Sequence, residues 1–325
     1  MTVAAHPETG LRPLRDCVIV VTPRSFGQHD EGLRRELEAA VGEVHYQPGP
    51  LTAAELAPIV ADADGLLAGL DEITQLVFER APRLRVVARY GVGVDRIELA
   101  AAAQHGVTIT NTPNANANAV AELTLALVLA LARPIAAGRD RVRAGEWPAL
   151  QGLEVRGRTI GLLGLGHIGS LVATKASALG LRVLAHDPFV TESDAAELVD
   201  LHTLAAESDF LSLHAPLTDA TRGVVDRSLL ERVKPGAAIV NTARGELIDE
   251  AALRWALDEG RLRGAALDVL AEEPPRAGHP LLGRDDVLVT PHMGPHTAEA
   301  TSSMGRIALE ELLAVLSGRP PRFPV

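Results

Sequence analysis

The run Thr159-Ile160-Gly161-Leu162-Leu163-Gly164-Leu165-Gly166-His167-Ile168-Gly169 decides how this chain is read. Its first five residues have the apolar content of a strand covered on both faces. A glycine-rich turn follows at once, and a helix is expected from about Ile168. In a strand–turn–helix unit the three glycines have separate tasks. Gly164 permits the tight turn, Gly166 lets backbone approach a pyrophosphate, and Gly169 allows the helix to pack closely on the strand. The helix N-terminus adds N–H donors and a favourable dipole for an anion. A second strand, Arg182–Ala185, leads to Asp187, eighteen residues beyond Gly169. A carboxylate at that distance suits the two ribose hydroxyls of an adenosine. It also repels a 2′-phosphate, and Pro188-Phe189-Val190 offers no Arg or Lys to hold one. The expected cofactor is therefore NAD rather than NADP.

The pattern continues on both sides of this unit. Short apolar runs alternate with Ala/Leu-rich helical stretches, as in α/β proteins with parallel sheets. Before it, strands are expected at Val18–Val21, Gly65–Ala68, Arg85–Ala88 and Thr108–Thr110, with helices over Gly32–Val41, Ile73–Arg80 and Ile97–His105. After it, strands are expected at Phe210–Leu213, Ala238–Asn241, Gly264–Asp268 and Val287–Thr290, and one long helix over Thr297–Ser317. Between the two series Asn111-Thr112-Pro113-Asn114 breaks the pattern, and the apolar stretch Ala117–Ala132 follows. Its length and Glu122 favour a buried helix over a membrane span. Pro134 ends or kinks it.

The chain has 325 residues, 47% of them hydrophobic and 22% charged. That suits about two ordinary globular domains. The net charge of −11 argues against a nucleic-acid partner. The single cysteine, Cys17, excludes an internal disulfide and fits a reducing, cytoplasmic compartment as a buried residue at the first strand. No run suits a membrane span or a secretory leader, and Met1–Asp16 reads as a mobile lead-in.

Three later segments carry polar side chains at strand ends: Asn241 to Gly245, Asp268 to Pro274, and Thr290 to Gly294. Ligands of open α/β sheets bind outside the carboxyl ends of the strands, so Arg244, Glu273 and His292 are expected to converge there. Hydride transfer to a carbonyl carbon leaves charge on the oxygen, and a positioned acid must protonate it. His292 is the natural acid/base, and the Glu273 carboxylate would stabilise and orient it. The Arg244 fork would anchor the substrate carboxylate and polarise its carbonyl. The pair His292/His296 is not expected to bind metal, because Gly294 and Pro295 interrupt any helix that would align them and no third ligand is evident.

Together these segments resemble the NAD-dependent D-isomer-specific 2-hydroxyacid dehydrogenase family. The likeness runs from about Val18 to Gly318. Its motifs are Arg89-Tyr90-Gly91-Val92-Gly93-Val94-Asp95, Asn111-Thr112-Pro113, Val120-Ala121-Glu122, the glycine run, His214-Ala215-Pro216-Leu217-Thr218, Asn241 to Gly245, Asp268 to Pro274, and Thr290-Pro291-His292. The resemblance implies an α/β fold of two doubly wound parallel-sheet domains. A Rossmann nucleotide-binding domain, 114–294, would be inserted in a smaller flavodoxin-like substrate-binding domain made of 1–113 and 295–325. It implies the triad Arg244, Glu273 and His292. It places Thr124, Pro216, Thr242, Ala243, Asp268 and Gly294 against the cofactor, with His167 and Ile168 at the pyrophosphate. It assigns the substrate carboxylate to the backbone of Tyr90, Gly91, Val92 and Gly93. It implies a homodimer formed by the Val120–Leu131 helix and the segment around Trp147. Relatives that oxidise formate carry Gln where Glu273 stands, so that activity is excluded.

Within the family the chain most resembles phosphoglycerate-dehydrogenase-like members. Arg89 matches a position where those enzymes use Arg near the phosphate. Their second basic residue would fall near Gly69, where no Arg stands, and Arg24 is expected to compensate. Glu246 and Pro295-His296 are further departures, and His296 would add a positive contact to the substrate. The expected substrate is a 2-keto acid with a second anionic group. A glyoxylate/hydroxypyruvate reductase is the alternative. An NAD(H)-sensing corepressor is a third reading, disfavoured by the lack of a basic tail. No feedback through a further domain after Val325 is expected.

Overall fold

The computed structural model describes residues 11–325. Residues 1–10, most of the expected lead-in, lie outside the described residues. The rest of that lead-in differs from expectation, because Leu14–Asp16 forms a helical turn, whereas Cys17 is fully buried ahead of the first strand, as expected.

The chain divides into two compact units, which change over at Asn116/Ala117 and Pro295/His296. The first contains β1 (Val18–Val21), α1 (Glu31–Ala40), β2 (Glu43–Tyr46), α2 (Ala53–Ile59), β3 (Gly65–Ala68), α3 (Gln75–Arg80), β4 (Val86–Arg89), α4 (Leu99–Gln104) and β5 (Thr108–Thr110). The second contains α5 (Ala117–Ala132), α6 (Ile135–Arg143), β6 (Thr159–Leu163), α7 (His167–Ala178), β7 (Arg182–His186), β8 (Glu197–Leu198), α8 (Leu201–Glu207), β9 (Phe210–Leu213), α9 (Arg227–Leu230), β10 (Ala237–Asn241), α10 (Glu250–Asp258), β11 (Leu262–Leu267) and β12 (Val287–Val289). Helix α11 (Ala298–Leu316) returns to the first unit.

The first sheet is parallel with order β2-β1-β3-β4-β5, the flavodoxin-like arrangement. Its core lies on both faces. Leu33, Leu37, Met304 and Leu312 cover one side, and Leu56, Val77, Phe78 and Ala101 the other. Two expected helices begin later than their apolar spacing suggested. Ile73 and Ile97 pair as an isolated parallel bridge, so α3 starts at Gln75 and α4 at Leu99.

The second sheet is parallel with order β12-β11-β10-β9-β6-β7-β8. This is the Rossmann order carrying a seventh strand, and the strand order reverses between β6 and β9. Strands β6, β9 and β10 are buried along their whole length, as their continuous apolar runs require. Helix α5 packs against α7, with Val120, Leu125, Leu127 and Val128 buried. Among the described residues no single helix is long and apolar enough to cross a membrane.

Candidate active site

Two of the three glycines of the turn meet close neighbours, and the third is open. Gly164 has φ +98°, and a Cβ on it would lie 2.7 Å from both the His214 carbonyl carbon and the Ala215 nitrogen. A Cβ on Gly169 would lie 2.3 Å from the Gly164 carbonyl oxygen, so strand and helix meet backbone to backbone. Gly166, the N-cap of α7, faces open space, and no side chain caps that helix. His167 is exposed and Ile168 half-buried in its first turn. The N–H donors of the first turn therefore meet no capping side chain, and with the helix dipole they suit an anion.

Asp187 stands just past β7. Its Oδ2 accepts from the Leu165 N–H at 2.8 Å and its Oδ1 from the Phe189 N–H at 2.9 Å. One carboxylate thus links the glycine turn to the end of the neighbouring strand. Phe189 itself is 92% exposed.

The register sets three later loops side by side, because Asn241 pairs with Leu267 and Leu267 with Val289. The Glu273 Oε2 lies 2.7 Å from His292 Nδ1, and its Oε1 accepts from the Leu270 N–H at 3.0 Å. Both side chains are about one-fifth exposed. With Nδ1 engaged by the carboxylate, Nε2 lies on the opposite edge of the ring. His292 has φ 51°, the left-handed region that a side chain rarely adopts. Asp268 enforces it. Its carbonyl accepts from the His292 N–H, Oδ1 accepts from the Thr290 hydroxyl and the Met293 N–H, and Oδ2 accepts from the Gly294 N–H. Backbone held in a sparsely populated region by several bonds is a mark of a functional segment.

Arg244 is half-buried, and its Nη1 donates to the Ala243 carbonyl at 2.7 Å. Fully buried Asn241 holds the turn beneath it, donating to the Arg244 carbonyl and accepting from the Ala243 N–H. A Cβ on Gly245 would lie 2.0 Å from the Leu270 carbonyl carbon, so the Arg244 and Glu273 loops touch through their backbones. The sequence alone gives Asn241 no role; the signal for one is a buried amide at the last residue of an apolar strand.

Other expected cofactor residues fall differently. Pro216 is exposed, and Ala243 is half-buried. Thr242 is 9% exposed, whereas Thr124 has no exposed surface. The Thr124 hydroxyl bonds to the Val120 carbonyl and to Thr242, which makes it a support for Thr242 in this conformation. Gly294 is buried beside Val120 and Asp268.

In the first unit the expected substrate residues cluster at the carboxyl ends of β1 and β4. Arg89 is buried. Its Nε donates to the Gly93 carbonyl at 2.9 Å, and its Nη1 donates to the Tyr90 carbonyl. It therefore curls the Tyr90–Gly93 loop around itself. Gly91 has φ +141° and packs on the same guanidinium, while Val92 is 39% exposed. The Tyr90 ring is buried and its hydroxyl donates to the Thr301 carbonyl, with burial raising its pKa. Arg24 donates from Nε to the Gly49 carbonyl at 2.8 Å. His296 is exposed. Buried Asp71, which no motif marks in the sequence, accepts from the Thr22 hydroxyl and from the Leu51 and Gly69 N–H groups.

The chain is similar to known proteins over most of its length. Residues 125–294 match the family model described as D-isomer specific 2-hydroxyacid dehydrogenase, NAD binding domain. The chain is 44% identical over 286 residues to the D-3-phosphoglycerate dehydrogenase of Methanocaldococcus jannaschii, covering 86% of this chain and 54% of that protein. It thus spans about half the length of that relative. It is 42% identical over 268 residues to the hydroxypyruvate reductase of Thermotoga maritima, covering 81% and 88%. The crystal structure of the TT0316 protein from Thermus thermophilus superposes with a TM-score of 0.86 at 40% identity, covering 95% of this chain and 99% of that one.

Proposed function

Since this chain belongs to the D-isomer specific 2-hydroxyacid dehydrogenase family, we propose that it interconverts a D-2-hydroxy acid and its 2-keto acid with NAD. The observation that carries this reading is the 2.7 Å contact of His292 Nδ1 with Glu273 Oε2, on strand ends of the sheet that carries the glycine turn. The residues present fit the cofactor: an uncapped helix start under Gly166 for the pyrophosphate, and Asp187 at the end of β7 for the ribose. Asp187 is also why NAD is favoured over NADP. When bound, the nicotinamide supplies or accepts the hydride.

The chain's own side chains do the rest. Arg244 holds the substrate carboxylate and polarises the carbonyl. His292 delivers a proton from Nε2 to the carbonyl oxygen in reduction and removes it in oxidation. Glu273 fixes the imidazole through Nδ1 and balances its charge when protonated. Asp268 keeps the loop that carries His292 in its left-handed turn.

For the substrate we favour a 2-keto acid with a second anionic group, held by Arg24 and assisted by Arg89 and His296. The backbone of Tyr90–Gly93 serves the carboxylate. A second reading, a reductase of small neutral-tailed acids such as hydroxypyruvate or glyoxylate, gains support from Arg24 and Arg89 donating to backbone carbonyls. The similarity to a hydroxypyruvate reductase of comparable length points the same way. A homodimer in the cytoplasm completes the proposal. Ile135, Val142, Trp147 and Leu150 are all exposed around one groove, an apolar patch that suits a second copy.

The test is NADH consumption with 3-phosphohydroxypyruvate, hydroxypyruvate, glyoxylate and pyruvate, repeated with NADPH. A preference for the phosphorylated acid with NADH is expected. Preference for hydroxypyruvate or glyoxylate selects the second reading. NADH binding without turnover of any acid overturns both and revives a sensor, and a higher kcat/KM with NADPH overturns the cofactor choice.

A further inference from the structure

Glu273 is not the only carboxylate gripping its loop. Its Oε1 accepts from the Leu270 N–H, and its Oε2 meets His292. At the next amide along the chain the same arrangement recurs from the other side. Glu250, the first residue of α10, accepts from the Ala271 N–H through Oε1 at 3.2 Å. Its Oε2 lies 3.0 Å from His279 Nε2. The His279 side chain is 10% exposed and that of Glu250 is 26% exposed. His279 Nδ1 in turn accepts from the Leu281 N–H at 3.4 Å, so Nε2 carries the proton and donates it to Glu250. The loop from Leu270 to Leu281 is thereby tied at both ends to the start of α10. Underneath, Gly245 leaves the Leu270–Ala271 peptide no room to sink, because a Cβ there would already overlap it.

We propose that Glu250 and His279 form a positioning relay for the acid/base pair. They hold the Leu270–Ala271 peptide at the height from which Glu273 reaches His292. This deepens the reading of His292 and Glu273 as the proton-transfer pair and rests on it. A carboxylate that reaches one reactive imidazole must be placed to within about half an ångström, and a loop needs a supporting set of bonds to achieve that. Neither residue of the relay touches a reacting atom. Its loss should therefore slow the chemical step while leaving the binding of both substrates intact.

The experiment uses the full chain with His279→Ala, Glu250→Ala and His279→Gln. Gln can both donate to Glu250 and accept from Leu281, so it serves as the conservative rescue. The expected result for the two alanine variants is a fall in kcat of about tenfold or more. Their KM for the keto acid and Kd for NADH should stay within about twofold of wild type, and His279→Gln should recover most of the loss. The second readout is the 15N-imidazole signal of His292, assigned by its disappearance in His292→Gln. It should move in His279→Ala and return in His279→Gln. Rates within twofold of wild type together with an unmoved His292 signal overturn the relay. A fall in kcat matched by an equal loss of NADH binding also overturns it, since that is what general unfolding would give. If wild type turns over no acid, the proposed activity fails, and the imidazole signal alone still decides the relay.

Discussion

The carboxyl ends of the two sheets use buried charge in the same way and present different chemistry. In the second unit four carboxylates hold loops by their N–H groups: Asp187 holds Leu165 and Phe189, Asp268 holds Met293 and Gly294, Glu273 holds Leu270, and Glu250 holds Ala271. Two of them also engage a ring nitrogen: Glu250 meets His279 Nε2, and Glu273 meets His292 Nδ1 and leaves Nε2 on the opposite edge of that ring. In the first unit the carboxylate of Asp71 and the guanidinium groups of Arg24 and Arg89 all hold loop backbone. The imidazole–carboxylate contact of His45 and Glu43 on β2, at 3.2 Å, is open to solvent. The proposed function divides the labour between them: proton transfer is assigned to the second edge, and the shape and charge of what is accepted to the first.

Replacing His292 tests that division most severely. His292→Gln should lower kcat by about a thousandfold, in the range of general acid–base catalysis, while the Kd for NADH stays within about twofold. Loss of less than tenfold would mean that the proton comes from elsewhere, and the contrast between the edges would collapse.

His214 gives the next effect, in stability. It lies under the glycine turn with Nε2 2.9 Å from the fully buried Ser212 hydroxyl. Burial pushes its pKa down to about 4. The unfolded chain takes up a proton near pH 6.5 and the folded chain only near 4, so stability is intact above 6.5 and declines as pH falls through that window. The residue keeps some exposed surface, which moderates the effect to roughly 1–3 kcal/mol. Urea unfolding at pH 7.5 and 4.5 should show that decline in wild type and a shallower one in His214→Gln. Equal declines would exclude His214 as its source.

The two edges also differ in how much of them the sequence discloses. Around the glycine turn the strands are long apolar runs, and β6 spans the residues expected of it. The dipeptide strand β8 and the edge strand β2 carry no such signal. Residues Glu43-Val44-His45-Tyr46 bury no side chain fully, so no apolar period marks them. Glu273 and His292 are legible because their residue types carry the chemistry. The residues that place them are not. Nothing in an isolated Asn241 or Glu250 says which N–H it will accept, because those partners come from other loops. Arg89 shows the opposite failure. Its place before Tyr90-Gly91-Val92-Gly93 is clear, and its direction is not, since a guanidinium can as well turn back to two carbonyls as face a ligand.

That ambiguity makes Arg24 the finest probe of the first edge. An Arg carries five N–H donors, and Nε alone is committed to the Gly49 carbonyl. If the remaining fork binds a second anionic group, Arg24→Ala should raise KM for 3-phosphohydroxypyruvate about tenfold or more, the usual scale for a lost charged hydrogen bond. KM for pyruvate should change by no more than about twofold, because pyruvate has a single carboxylate, which the proposed function assigns to Arg244. Equal increases for both acids would give a different meaning to the same contact. Arg24 would then act only through Gly49 and the backbone around Asp71, whose Oδ1 a Cβ on Gly49 would approach to 2.3 Å. The first edge would in that case select by the form of its loops, and the neutral-tailed acids would become the natural substrates.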